Sequence, residues 1–393
     1  MFRATDGIVL PTSIIGSLPR PSWCTANLGH RNFREAMVHA PYREQYIDAV
    51  SVFLRDQETA GLDILTDGDA RFDADVGGHS WFSYAPLHME GFSGNYAYKI
   101  KGGRAGVSSQ RGSILHDVLE ARLLPDLTGP VGRGTLQYTS VWKTAQRLSN
   151  RPVKFGTITP ELIAMGVRDF HYKDLSACMI AIADALNEEL NELADAGCPI
   201  IQMEEPQIHL LAAKGLTDKV LNQDTMVDLF NRTVKGLGTK TEVWCHTCWG
   251  NPAQQRIFSS VQSYAPALES LDRVEADVVT FECCSSGPGD LAEIGKRIKT
   301  KKIAIGVIDH HTLQVETPNE VASLIRKALE HIPAERLVIS SDCGMGREGM
   351  SRRHAFHKMV AMVQGTNIVR RELGVPEAVC LAADDRYSLV ENG

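Results

Sequence analysis

The chain has 393 residues, 43% of them hydrophobic and 23% charged, with a formal net charge of -7. This is globular composition with ample core material, and its dispersed lysines and arginines offer no basic face to nucleic acid or an anionic membrane. No run reaches the roughly 18 apolar residues of a membrane span. Residues 1–6 lack the apolar centre of a secretory leader, and nine scattered cysteines form no disulfide framework, so a cytoplasmic setting is expected.

In chain order, an apolar run at 9–17 predicts a first strand, 43–60 a helix and 63–69 a second strand. Residues 70–150 then break the rhythm with Gly-rich and aromatic pieces such as Gly77-Gly78-His79 and Gly91-Phe92-Ser93-Gly94. They read as an insertion over the mouth of the fold, with a short hairpin and one helix near 137–149. From residue 150 the pattern becomes regular. A strand at 153–160 leads to a helix at 175–196, on which Met179, Ile182, Leu186, Leu190 and Leu193 step by three or four. Strands at 199–206, 241–248, 276–284, 302–311 and 336–344 then alternate with helices near 223–236, 253–271, 289–299, 318–331 and 352–373. Eight βα units in one chain predict an α/β fold of the (β/α)8 TIM-barrel type, a single catalytic domain over 1–393 with the 70–150 insertion after its second strand. An open doubly wound sheet is the alternative, but its Gly-rich phosphate turn is absent.

Barrel enzymes place their chemistry at the C-terminal ends of strands, and here those ends are polar. In Val243-Trp244-Cys245-His246-Thr247-Cys248 the period of two puts His246 and Cys248 on one face. Glu282 closes Asp277-Val278-Val279-Thr280-Phe281-Glu282, and Cys343 closes the run that starts at Leu337. Histidine, two thiols and a carboxylate suit one catalytic zinc ion. Cys283 and Cys284, the neighbours of Glu282, are rival ligands, and Cys284 shares its strand face, whereas Cys245, Cys24, Cys178, Cys198 and Cys380 read as core. In Asp309-His310-His311 adjacent residues point opposite ways, so one histidine at most is expected to reach the site. A free thiol, with a pKa of about 8.5, is mostly protonated at neutral pH, and coordination removes that proton. A centre with two cysteinates and a carboxylate favours a reactive substrate sulfur over activated water. The thiol is expected to enter by displacing Glu282 or water. His311, tuned by Asp309, is the expected acid for the leaving atom.

These motifs, with Ile15-Gly16-Ser17, Gly68-Asp69 and Ile201-Gln202-Met203-Glu204-Glu205-Pro206, resemble the catalytic barrel of cobalamin-independent methionine synthases and their single-barrel relatives. The likeness covers most of residues 9–375. It implies zinc on His246, Cys248, Glu282 and Cys343, and a catalytic histidine at His311. It also implies a homocysteine carboxylate against the backbone amides of Ile15, Gly16 and Ser17, with the ammonium between Asp69 and Glu204. The activity implied is methyl transfer to a small-molecule thiol, from methyltetrahydrofolate or from a methylcobamide on a corrinoid carrier protein. Two departures stand out. Asp69 and Glu204 exchange the family's usual Glu and Asp, and Thr157-Ile158-Thr159-Pro160 replaces its folate-binding strand. Epoxyalkane:coenzyme M transferase looks like a member of the same superfamily. On that reading Arg347, with Arg352 and Arg353, would meet a sulfonate. A non-catalytic barrel that binds zinc and a thiol is the third reading.

Overall fold

A computed structural model describes residues 3–29, 31–73, 80–100, 103–105, 124–204, 206–215, 218–250, 262–346 and 350–383. Its strands, in chain order, are β1 (Leu65–Thr66), β2 (Glu90–Ile100), β3 (Gly103–Ala105), β4 (Leu124–Gly132), β5 (Val153–Ile158), β6 (Ile200–Glu204), β7 (Glu242–His246), β8 (Val278–Phe281), β9 (Lys302–Gly306) and β10 (Leu337–Ser340). Seven of them form one curled parallel sheet in the order β1-β5-β6-β7-β8-β9-β10. The two edges meet across residues 11–13. Ser13 N–H donates to Ile339 O at 3.0 Å, Ile339 N–H to Pro11 O at 2.9 Å and Ile64 N–H to Thr12 O at 3.0 Å. That short segment is the eighth stave of the expected barrel.

Strands β5 to β8 are buried at every position, as parallel strands must be when one face meets helices and the other the barrel interior. Outside the sheet lies the main apolar core. Inside it, Ile64, Ile200, Trp244, Val278, Ala304 and Val338 form a separate cluster, joined by Ala4. The N-terminal segment is tied to this end. Arg3 pairs with Asp277 at 2.7 Å, Thr5 Oγ1 donates to Glu242 at 2.9 Å, and Lys302 donates to Thr5 Oγ1 at 2.8 Å.

Helices cover the outside in the expected places, among them Ala40–Ala60, Leu175–Asp195, Gln223–Thr233, Pro318–Leu329 and Arg352–Glu372. Thr317 and Glu320 form a reciprocal capping box at the start of Pro318–Leu329. Among the described residues no helix is long and apolar enough to cross a membrane.

Two things differ from the expectations, and a third expectation lies largely outside the described residues. The insertion holds a three-stranded antiparallel sheet, β3-β2-β4, rather than a short hairpin. It leans on the rim beside β5, where Leu127 N–H donates to Arg168 O at 2.9 Å and Asp126 pairs with Arg168. Helix Tyr138–Gln146 belongs to the outer layer, packed on β5 and on helices Ala40–Ala60 and Leu175–Asp195. Finally, the helix expected near 253–271 is described only from a 3-10 turn at Ala265–Ala267 through Leu268–Arg273, since residues 251–261 lie outside the described set.

Candidate functional site

His246 ends β7 and Cys248 follows two residues later, while Cys343 lies three residues beyond β10. The ligand atoms of these three buried side chains lie within 4.8 Å of one another. The two sulfurs are 3.4 Å apart. Two thiolates on one tetrahedral zinc, each at about 2.3 Å, stand about 3.8 Å apart, whereas a disulfide needs about 2.05 Å. The spacing therefore fits sulfurs converging on one ion. Thr280 Oγ1 engages His246 Nδ1 at 2.6 Å, which makes Nε2 the nitrogen that could face a metal. Gly250 N–H reaches Cys248 Sγ at 3.4 Å, a contact that favours the thiolate.

Beyond His246 the sheet ladder no longer holds the chain, and side chains take over. Thr247 Oγ1 donates to Thr280 O at 2.6 Å, and Tyr264 Oη to Thr247 O at 3.3 Å. Glu282 N–H in turn donates to Tyr264 Oη at 3.2 Å. His209, at the start of helix Ile208–Ala213, has Nε2 2.6 Å from Cys248 O. Burial pushes the His209 imidazole down to about 4, so the neutral ring carries its proton on Nε2, facing that carbonyl. Neither His209 nor Tyr264 figured among the expected site residues. The one sequence signal was a histidine inside the apolar run Ile208-His209-Leu210-Leu211.

The four expected ligands are not all brought together. Glu282 groups with His310 and His311 instead. Its Oε2 accepts Trp249 N–H at 2.9 Å, and its Oε1 accepts the Ser285 hydroxyl. The reason is local: β8 ends at Phe281, so alternation no longer dictates where Glu282 points. Cys284 joins no donor group among the described residues. Its N–H, with those of Cys283 and Ser285, binds the carboxylate of Asp342 at 2.7–3.0 Å. Burial and the charge of Glu282 push Asp342 up to about 8 against those three donors.

Strand β9 ends at Gly306, so Asp309, His310 and His311 lie on a turn. Strand alternation therefore fails there too. The two imidazoles lie 3.9 Å apart, and both come within reach of Glu282. Asp309 Oδ1 accepts His311 N–H at 2.7 Å and faces His311 Nδ1 at 3.1 Å. Burial works to raise the Asp309 carboxyl, but the His311 hydrogen bonds outweigh it and leave it below the usual range. His311 Nε2 has no hydrogen-bond partner among the described residues. His310 Nε2 reaches Gly250 O at 2.9 Å. A buried Lys358 donates to Asp309 O at 3.0 Å and to Glu316 at 2.9 Å, and Glu316 accepts Asp309 N–H at 2.9 Å.

The residues expected to hold an amino acid do converge. Gly16 has φ +43°, and a Cβ there would stand 2.7 Å from Asp69 Oδ2 and 3.0 Å from Glu204 Oε1. Asp69 Oδ1 pairs with buried Arg71, while its buried Oδ2 has no hydrogen-bond partner among the described residues. Burial, opposed by Arg71 and reinforced by Glu204, raises the Asp69 carboxyl well above its ordinary value. Gln202 Nε2 donates to Glu204 Oε1 at 2.7 Å, and Lys154 Nζ holds Gln202 Oε1 at 2.7 Å and Ile14 O at 2.9 Å. Burial brings Lys154 down to about 7, with Glu204 and Asp69 opposing. Ile15 N–H is taken by Ser341 Oγ at 3.0 Å, so the amide edge available to an anion is that of Gly16 and Ser17. This pocket adjoins the sulfur pair: Glu204 pairs in register with His246, and Ser17 O accepts Met345 N–H at 2.8 Å. Arg347 lies outside the described residues.

Comparison with known proteins gives a consistent result. The family described as cobalamin-independent synthase, catalytic domain, matches residues 116–367. A methionine synthase of Thermococcus kodakarensis is 30% identical, covering 93% of this chain and 95% of that protein. A 2-hydroxypropyl-CoM lyase of Xanthobacter autotrophicus is 29% identical over 95% of this chain and 98% of that protein. Among solved structures, a B12-independent methionine synthase from Shewanella sp. W3-18-1, in complex with selenomethionine, superposes with TM-score 0.73 at 29% identity, covering 93% of this chain and 99% of that one.

Proposed function

Because the chain belongs to the family of cobalamin-independent synthase catalytic domains, we propose that it is a zinc-dependent alkyltransferase that methylates the thiol of homocysteine to give methionine. The observation that carries the acceptor is the paired acid site at Gly16. A buried carboxylate oxygen of Asp69 stands there beside Glu204 with no partner among the described residues. Such an oxygen calls for a cation, and the ammonium of an amino-acid thiol supplies one. Arg71 pairs with Asp69 and Lys154 reaches Glu204 through Gln202, and a zwitterion adds no net charge to this pocket.

His246, Cys248 and Cys343 would hold zinc, and Glu282 stands beside them. Zinc, when bound, would bring the pKa of the acceptor thiol below neutral and keep its sulfur nucleophilic. The chain's own residues do the rest. Gly16 and Ser17 N–H groups receive the carboxylate, and Asp69 with Glu204 orients the ammonium. His311, aligned through Nδ1 by Asp309, presents Nε2 to protonate the atom that leaves the methyl group. Holding both reactants in line supplies much of the rate. The methyl donor is methyltetrahydrofolate or a methylcobamide delivered by a corrinoid protein.

The likeness to 2-hydroxypropyl-CoM lyase supports a second reading, addition of a sulfonate-bearing thiol to an epoxide. Coenzyme M lacks the ammonium, however, and would add a third anion to Asp69 and Glu204. Titration calorimetry on metal-loaded protein separates the two. Homocysteine is expected to bind at least about tenfold tighter than coenzyme M, with one zinc per chain by elemental analysis and methionine formed from one of the two donors. Tighter binding of coenzyme M would overturn the homocysteine assignment.

A further inference from the structure

Cys248 lies two residues past a strand end, where imported side chains hold the backbone. Strand β7 stops at His246. The hydrogen bond made directly to Cys248's own carbonyl comes from His209 Nε2, at 2.6 Å. His209 is fully buried, belongs to no donor group among the described residues, and sits on a different βα unit from Cys248. Its ring meets Trp249 edge-on at 5.0 Å and Tyr264 at 5.4 Å. Tyr264 in turn joins the ends of β7 and β8 through Thr247 O and Glu282 N–H. The three rings therefore brace the ligand loop from outside the cluster.

We propose that His209 is a positioning residue of the metal centre, fixing the Cys248 peptide so that its sulfur faces His246 and Cys343. The inference rests on the zinc reading above. Without the donor, the buried Cys248 carbonyl loses this hydrogen bond, and the peptide is free to rotate. That rotation swings Sγ away from the other two ligands. Groups that orient metal ligands typically change metal affinity by about 10- to 100-fold when removed.

The test follows zinc release from loaded protein to a colorimetric chelator, with no methyl donor required. His209→Phe keeps an aromatic ring against Trp249 and Tyr264 but has no N–H, and is expected to release zinc about tenfold faster or more. His209→Gln places an amide N–H near the position of Nε2 and is expected to stay within about threefold of the parent. Thermal unfolding of both variants shows whether packing has been disturbed. Equal release from His209→Phe and the parent overturns the proposal, as does release from His209→Gln as fast as from His209→Phe. A parent protein that takes up no zinc sinks the zinc reading itself, a different result from equal rates.

Discussion

Gly16 is where a single methyl group decides binding. Its φ of +43° already disfavours a side chain, and an added Cβ would occupy the space between Asp69 and Glu204. Gly16→Ala is expected to lose about tenfold or more in homocysteine affinity by calorimetry, with about 1–3 kcal/mol of stability lost to backbone strain. Lys154 makes a different, pH-dependent statement. Its folded value of about 7 lies below the ordinary 10.5. Between those values the unfolded chain binds more protons, so this residue makes stability rise with pH. Urea unfolding at pH 7 and pH 9 is expected to show that rise in the parent and a smaller one in Lys154→Met; equal slopes would reject the burial account. Much of this site could be read from the sequence, because acids, a histidine and thiols at the ends of apolar runs are unusual. Lys154 and His209 could not. Each sits inside an apolar run where period alone marks a core position, and only the partner it meets across the fold gives it a role.

At the level of elements, the turn after β9 owes its shape to an ion pair on other segments. Lys358 of helix Arg352–Glu372 and Glu316 hold both backbone groups of Asp309, next to His310 and His311. The Lys358 side chain is 0% exposed and that of Glu316 11%. Lys358→Met leaves Glu316 buried and unpaired, a loss of about 3–5 kcal/mol. The double variant Lys358→Met with Glu316→Gln should recover most of that stability. Its kcat is nevertheless expected to stay down about tenfold with zinc content unchanged. Recovery of kcat in the double variant would show that the turn needs no such tether. Past the end of a ladder, strand alternation is no sure guide to where a side chain points. His246 and Cys248 share one donor group as alternation suggests, whereas Glu282 groups with both His310 and His311, which lie past the ends of β8 and β9. The sheet of the insertion was hidden for another reason: β4 carries Pro125, Gly129, Pro130 and Gly132, residues that ordinarily argue against a strand.

For the whole molecule, the eight-unit rhythm was legible because each apolar run is followed by an amphipathic one. The closing stave was harder to delimit, since residues 9–17 contribute a single bridge, Thr12 to Ile339, rather than a long ladder. The opposite end of the barrel is stoppered by Arg3, Ala4 and Thr5 against Asp277, Trp244 and Glu242. Removing residues 1–6 is expected to lower stability by roughly 2–4 kcal/mol, since buried Glu242 and Lys302 lose partners. Metal content should be unchanged, because the stopper lies at the far end of the staves; loss of metal in that truncation would contradict this placement. The seam at Thr12 also has a temporal consequence. During synthesis the first stave emerges early and waits, while Cys343 leaves the ribosome more than three hundred residues later, just past the strand that Thr12 must clasp. A nascent chain already exposes His246 and Cys248, but it cannot present the full three-donor grip until β10, its youngest stave, has been made and has paired with β9. On the proposed zinc reading, capture of the ion waits for that last stave and so reports that the chain has been made almost to its end.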